Sequence, residues 1–131
     1  MGTSIMGIQD ILKALGTSGC LLLDYAKLAG ISVLDIIDNF NELVLNNIIR
    51  KDCYIKDADK LMKYFDKPFK VIKVNISDIL PDQEYIASWE NGPNNHFVIM
   101  KDDKVEYNTL EFSYCVHYGK INPTVRILEK I

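Results

Sequence analysis

The chain has 131 residues, of which 48% are hydrophobic and 25% charged, with a formal net charge of −3. This size and composition predict one globular domain over residues 1–131 with a substantial core. The acidic balance argues against general electrostatic binding to nucleic acid or to an anionic membrane. No apolar run approaches the roughly 20 residues of a membrane-spanning helix, and we expect no signal peptide.

The cysteines indicate the chemical environment of the protein. Cys20, Cys53 and Cys115 are an odd, widely spaced set, which predicts free thiols in a reducing, cytoplasmic compartment. A zinc site built from Cys115, His117 and one further cysteine is an alternative use of these residues. No CxxC pair accompanies them, so we expect neither a metal nor another cofactor.

The first half of the chain, residues 6–66, has the apolar period of α-helices. Gly16 is expected to end the first helix, and Thr17 or Ser18 to cap the second, which is apolar on nearly all sides. The apolar residues of the four predicted helices run over 8–15, 21–28, 36–48 and 61–65.

The second half, residues 69–131, instead alternates apolar and polar residues in short runs between turn formers. The predicted strands are 69–76, 85–89, 96–100, 105–108, 112–118 and 124–131. Helices followed by antiparallel strands predict an α+β fold, with three or four helices packed on a sheet of five or six strands.

The strands 96–100 and 105–108 form a predicted hairpin whose register can be argued. A three-residue tip pairs Phe97 with Tyr107 and places His96 opposite Asn108, with Cβ atoms about 5 Å apart. A two-residue tip would instead place Asn108 opposite Phe97. Matching apolar with apolar residues favours the first register.

Three residues in this arrangement have the chemistry of a cysteine hydrolase. Cys20 lies near a predicted helix start, where a helix dipole and a nearby histidine lower a thiol pKa below its usual value of about 8.5. His96 could act as the base, and Asn108 could hold the second ring nitrogen. The backbone N–H of Cys20 could donate to an oxyanion. The alternative assigns structural roles to all three residues, with Cys20 as a small buried hydrophobe.

Two further residues are candidates for substrate binding. Ser18 precedes the nucleophile by two positions and could present its hydroxyl there. Trp89 lies beside the Gly92-Pro93 turn and one strand from His96, so it could line a substrate groove. Burial in the core is the alternative for Trp89.

The segment His96–Ile99, with its polar tip and the strand Val105–Asn108, resembles the histidine-to-acid region of papain-like cysteine peptidases, especially the double-glycine-leader peptidase branch. Gly19–Leu22 resembles the start of their nucleophile helix. The chain is also similar to a small family of uncharacterised phage and prophage proteins through these motifs and two further segments, Ile49–Ile55 and Tyr118–Ile127. This resemblance implies a papain-like fold and hydrolysis of a peptide, isopeptide or other amide bond.

The sequence departs from those peptidases at two places. Asn108-Thr109 stands where the leader-peptidase branch has Asp-Pro, although papain uses an asparagine in this role. The peptidases also carry a glutamine shortly before the cysteine that completes the oxyanion hole. Here Gln9 lies eleven residues upstream, on a separate predicted helix, and Ser18 could substitute only by its hydroxyl.

Two hypotheses therefore stand. In the first, the protein is a cysteine hydrolase that acts on a peptide or protein through Cys20, His96 and Asn108. In the second, it is an inactive papain-like phage or prophage protein that binds a host macromolecule. The sequence predicts no oligomeric state.

Overall fold

The computed structural model describes residues 5–108 and 114–131. In these ranges the helices are α1 (Ile8–Ser18), α2 (Cys20–Ala29), α3 (Val33–Leu45), α4 (Ala58–Tyr64) and α5 (Tyr114–Tyr118). The strands are β1 (Phe69–Asn75), β2 (Tyr85–Asn91), β3 (Asn94–Lys101), β4 (Lys104–Tyr107), β5 (Lys120–Ile121) and β6 (Thr124–Lys130). Four helices precede an antiparallel sheet, so the predicted α+β class is confirmed.

Several helix ends follow the capping signals of the sequence. The Ser32 side chain accepts a hydrogen bond from the backbone N–H of Asp35 at 3.0 Å, at the start of α3. Asp57 accepts in the same way from the N–H of Lys60 at 3.0 Å, at the start of α4. Gly30 ends α2 in the left-handed conformation that glycine adopts without steric cost.

The junction between α1 and α2 differs from the prediction. Gly16 does not end α1, which continues to Ser18, and no side chain caps α2. Gly19 alone separates the helices: its N–H donates to the Leu15 carbonyl at 3.0 Å, and its carbonyl accepts from the N–H of Leu23 at 2.9 Å. A Cβ at Gly19 would lie 2.5 Å from the Leu15 carbonyl oxygen, so this turn requires glycine.

The strands form one sheet in the order β1-β6-β2-β3-β4, and β5 pairs with β2. The β6 strand thus lies between β1 and β2, although it follows both in sequence. Lys73 on β1 lies directly opposite Arg126 on β6, and Trp89 on β2 lies opposite His96 on β3. These cross-strand pairs bring together side chains that are distant in the sequence.

The predicted strand 112–118 is wrong over residues 114–118, which form α5; residues 112 and 113 lie outside the described residues. The partial alternation of apolar and polar residues in this segment did not exclude a helix, because several of its apolar residues are also consecutive in sequence. Cys115 is buried, and Val116 packs against the core cluster that contains Val98. The N–H of Gly119 donates to the Cys115 carbonyl at 2.8 Å, which ends the helix.

The predicted register of the β3–β4 hairpin is also wrong. The tip is the two-residue turn Asp102-Asp103, both with positive φ, because that turn matches strand twist and aspartate tolerates the left-handed region. A bulge between Ile99 and Met100 then shifts the pairing, so that Ile99 faces Tyr107. The bulge, rather than a longer tip, is what pairs apolar residues of β3 with apolar residues of β4.

Two core clusters use alternate residues of β2 and β3. Ile86 and Ile99 pack with the helices, whereas their neighbours Ala87 and Val98 belong to the second cluster. Successive strand residues point to opposite faces, so α1–α4 cover one face of the sheet, and Val116 of α5 packs on the other. None of the described helices has both the length and the apolar character needed to cross a membrane.

Substituting Gly19 tests the junction that starts α2. Gly19→Ala should lower the free energy of unfolding by about 1–3 kcal/mol, because the new methyl group overlaps the Leu15 carbonyl. Gly16→Ala is the control: no heavy atom lies within 4 Å of its Cβ position, and alanine favours a helix over glycine by up to about 1 kcal/mol. Urea unfolding measures both variants, and equal effects would contradict the close contact at Gly19.

Candidate active site

Cys20 opens onto a cavity of about 1060 Å³ between the helices and the sheet. It is the first residue of α2 and is half-buried, whereas Cys53 and Cys115 are buried. The cavity wall is formed by the α1–α2 junction, the segment 53–59, and parts of β1, β3 and β6. Ser18, Cys20 and His96 all contribute to this wall. The structure thus brings three of the predicted site residues to one cavity.

His96 and Asn108 are joined by a hydrogen bond. The His96 Nε2 atom lies 2.6 Å from Asn108 Oδ1, and His96 is 5% exposed. An amide oxygen only accepts, so this hydrogen bond requires the tautomer in which Nε2 carries the proton, and that tautomer leaves Nδ1 to act as a base. The predicted proximity of these two residues is therefore present, although the predicted register is not.

Trp89 lies across from His96 in the sheet and does not line the cavity. It lies opposite His96 on β2 and packs with the second core cluster. Its Nε1 is buried and has no hydrogen-bond partner among the described residues. Trp89 lines neither the cavity at Cys20 nor the smaller cavity beside it.

The start of α2 supplies hydrogen-bond donors to the cavity. The first N–H groups of a helix have no acceptor within it, and Gly19 brings no capping side chain. Gly19, Cys20 and Leu21 all line the cavity, so these donors lie beside the thiol. Gln9 is exposed in the first turn of α1 and does not line the cavity, whereas Thr17 and Ser18 do.

A buried acid that the sequence analysis missed lies one helical turn from the thiol. Asp24 is fully buried in α2, and neither carboxyl oxygen has a hydrogen-bond partner among the described residues. Burial raises its pKa to about 9, and the nearby Cys20 adds to the shift. Asp24 is therefore protonated at neutral pH and places no negative charge beneath the thiol. The available signal was a charged residue in a helix apolar on nearly all sides.

Two ionisable groups of the cavity wall, Cys53 and Tyr25, have raised pKa values. Burial raises the pKa of the Cys53 thiol to about 12, so this cysteine stays protonated. Burial likewise raises the pKa of Tyr25 to about 12, opposed by the positive charge of Arg126 and reinforced by Asp59. Arg126 and Asp59 thus each lie close enough to Tyr25 to act on its hydroxyl group.

No metal centre is found in the described part of the chain, where no group of three His, Cys, Asp or Glu residues could hold an ion. Cys115 is buried and lines the cavity, whereas His117 is exposed on α5. The helix that replaced the predicted strand places these two side chains in different environments.

Comparisons with protein-family models, with curated proteins and with solved structures found no match for this chain. Any functional proposal therefore depends on the geometry of the cavity.

Asp24→Asn should change how stability depends on pH. Between pH values of about 4 and about 9, Asp24 holds a proton in the folded protein that it has lost in the unfolded chain. The free energy of unfolding therefore falls as pH rises. The slope is at most about 1.4 kcal/mol per pH unit, and asparagine removes it. Between pH 5 and pH 8 the free energy of unfolding of the wild type should therefore fall by up to about 4 kcal/mol more than that of the variant.

Urea unfolding at several pH values measures this difference. Asp38→Asn, at an exposed carboxyl group on α3, is the matched control and should keep the wild-type slope. An unchanged slope in Asp24→Asn would mean that Asp24 is ionised in the folded protein.

Proposed function

We propose that the protein is a cysteine hydrolase that cleaves a peptide, isopeptide or other amide bond through a thioester intermediate. The observation that carries the proposal is the 2.6 Å contact between Asn108 Oδ1 and Nε2 of His96, a residue that lines the same cavity as Cys20. A histidine fixed through one ring nitrogen, in the same cavity as a thiol at a helix start, supplies the two groups that nucleophilic catalysis requires.

Acylation begins with transfer of the Cys20 proton to His96 Nδ1. The thiolate attacks the carbonyl carbon of the substrate, and the carbonyl oxygen becomes an oxyanion. The backbone N–H groups at the start of α2 donate to that oxyanion, and the Ser18 hydroxyl is a further donor. The His96 imidazolium then protonates the leaving amine, the C–N bond breaks, and the acyl group remains on sulfur.

Deacylation uses the same groups in reverse. His96 Nδ1 takes a proton from a water molecule, and the resulting hydroxide attacks the thioester carbonyl. The C–S bond breaks, the sulfur recovers its proton from His96, and the acid product leaves. Asn108 holds the imidazole in one tautomer throughout and stabilises the imidazolium form. Neutral Asp24 does not oppose the thiolate.

A second candidate function is binding of a macromolecule without catalysis. It is favoured by the position of Gln9, which is exposed and outside the cavity, so no glutamine among the described residues completes the oxyanion hole. On either proposal the partner is a peptide or protein, and the three free thiols fit a reducing, cytoplasmic compartment.

Alkylation by iodoacetamide at about pH 5.5 separates the two functions. A thiol with an ordinary pKa near 8.5 is only about 0.1% thiolate at that pH. An activated Cys20 should react at least tenfold faster than either buried cysteine, and His96→Ala should remove that advantage. Peptide mass spectrometry assigns the label to each cysteine.

His117→Ala is the matched control, because His117 is the second histidine of the chain and does not line the cavity. It should leave the reactivity of Cys20 unchanged. Slow and similar labelling of all three thiols would contradict the hydrolase and favour the binding protein.

Asn108 can be tested through the pH profile of the same reaction. Asn108→Ala should slow alkylation of Cys20 at pH 5.5 by about 10- to 100-fold, because the imidazolium loses the acceptor at Nε2. Asn108→Asp should restore the reactivity, since a carboxylate accepts the same hydrogen bond. Equal loss in both variants would assign Asn108 a purely structural role.

A further inference from the structure

The cavity at Cys20 continues along the sheet into a smaller one of about 230 Å³. The two share four lining residues, Lys73, Asn95, Phe97 and Arg126, so they form one groove. Val71, Lys73 and Phe97 alternate with residues that point to the opposite face. The groove therefore runs over the face of the sheet that the helices cover elsewhere.

Two cations stand side by side on the floor of this groove. Lys73 on β1 and Arg126 on β6 are directly opposite each other, a relation that places Cβ atoms about 5 Å apart. Like charges in this position destabilise a sheet. The ion pairs in the described part of the chain join other residues, Arg50 with Asp52 and Lys70 with Glu129. Lys73 and Arg126 thus lack a carboxylate partner in residues 5–108 and 114–131.

The acids that line the groove are already held elsewhere. Asp57 accepts from the N–H of Lys60 at 3.0 Å, and Asp59 accepts from the N–H of Val71 at 2.9 Å. Glu90, in the smaller cavity, accepts from Asn122 Nδ2 at 2.8 Å. Their positions are therefore set by these contacts, and none lies within ion-pair distance of the two cations.

Arg126 is also held in a defined orientation. Its guanidinium lies over the Phe97 ring, with 5.0 Å from Cζ to the ring centroid. Phe97 follows His96 in sequence, so the ring ties this cation to the strand that carries the histidine. A guanidinium fixed by stacking keeps its N–H fork for a carboxylate, which it can bind through two parallel hydrogen bonds.

We propose that Lys73 and Arg126 form a subsite that binds a carboxylate of the peptide substrate and so selects acidic peptides for cleavage at Cys20. The inference rests on the proposed hydrolase function, whose substrate class it names. The carboxylate is either an acidic side chain next to the scissile bond or the C-terminus of the peptide chain. Lys70, three residues from Lys73 and already paired with Glu129, takes no part.

The test uses two pairs of peptide chloromethyl ketones. The first pair is acetyl-Glu-Gly with acetyl-Gln-Gly, and the second is acetyl-Gly-Glu with acetyl-Gly-Gln. Each reagent pair differs only in charge, and chloromethyl ketones alkylate activated and ordinary thiols at different rates. At Cys20 the Glu reagent should react about tenfold faster than its Gln partner in at least one pair, as expected for one charge-assisted hydrogen bond. Lys73→Gln and Arg126→Gln should each reduce that ratio at least threefold.

Lys70→Gln is the matched control, on the same strand, and should leave the ratio unchanged. For the C-terminal source, acetyl-Ala-Ala-Ala as the free acid should protect Cys20 from iodoacetamide better than its amide. Ratios near one together with equal protection by acid and amide would overturn the subsite. A ratio that neither Lys73→Gln nor Arg126→Gln lowers would overturn it as well.

The same data distinguish failure of the subsite from failure of the hydrolase. Activation of Cys20 is measured by the rate of the uncharged Gln reagent and by its loss in His96→Ala. Slow alkylation with a high charge ratio would overturn the hydrolase and keep the carboxylate subsite. Fast, His96-dependent alkylation with a ratio near one would keep the hydrolase and overturn the subsite.

Discussion

The approach of Gly19 to the Leu15 carbonyl is the constraint on which the candidate site depends. The chain must leave one helix and start another within a single residue, and only a residue without a Cβ fits that turn. Cys20 therefore becomes the first residue of α2, with backbone donors beside its sulfur. A bulkier residue would displace the thiol from the cavity. The nucleophile is positioned by the absence of a side chain on its neighbour.

Much of the local structure could be predicted because it depends on short-range signals. Ser32 and Asp57 cap their helices through contacts that the sequence indicates, since a cap needs only a side-chain oxygen and an N–H three residues on. The change from helical to alternating periodicity at Pro68 similarly predicted the α+β class. The proximity of His96 and Asn108 was predicted, but from a register that proved wrong. A bulge, which adds one unpaired residue, left both side chains within reach.

The missed features depend on contacts between distant segments. Nothing near Arg126 in sequence indicates that it faces Lys73 and stacks on Phe97, because the order of strands decides both contacts. The environment of Asp24 likewise depends on which faces of α2 are covered by the sheet. The α5 helix was missed because its apolar residues fit both periods. These features needed the tertiary structure, and they include the charges that shape the groove.

The sheet order also has a consequence for how the protein is made. The β6 strand is inserted between β1 and β2, so the β1–β6 ladder joins segments about 50 residues apart in sequence. Until residues 124–130 have been synthesised, β1 has no neighbour and the groove has no floor. A nascent chain thus carries Cys20 long before Arg126 exists. Closing such a long loop slows folding, and the floor of the groove is complete only when β6 has paired with β1.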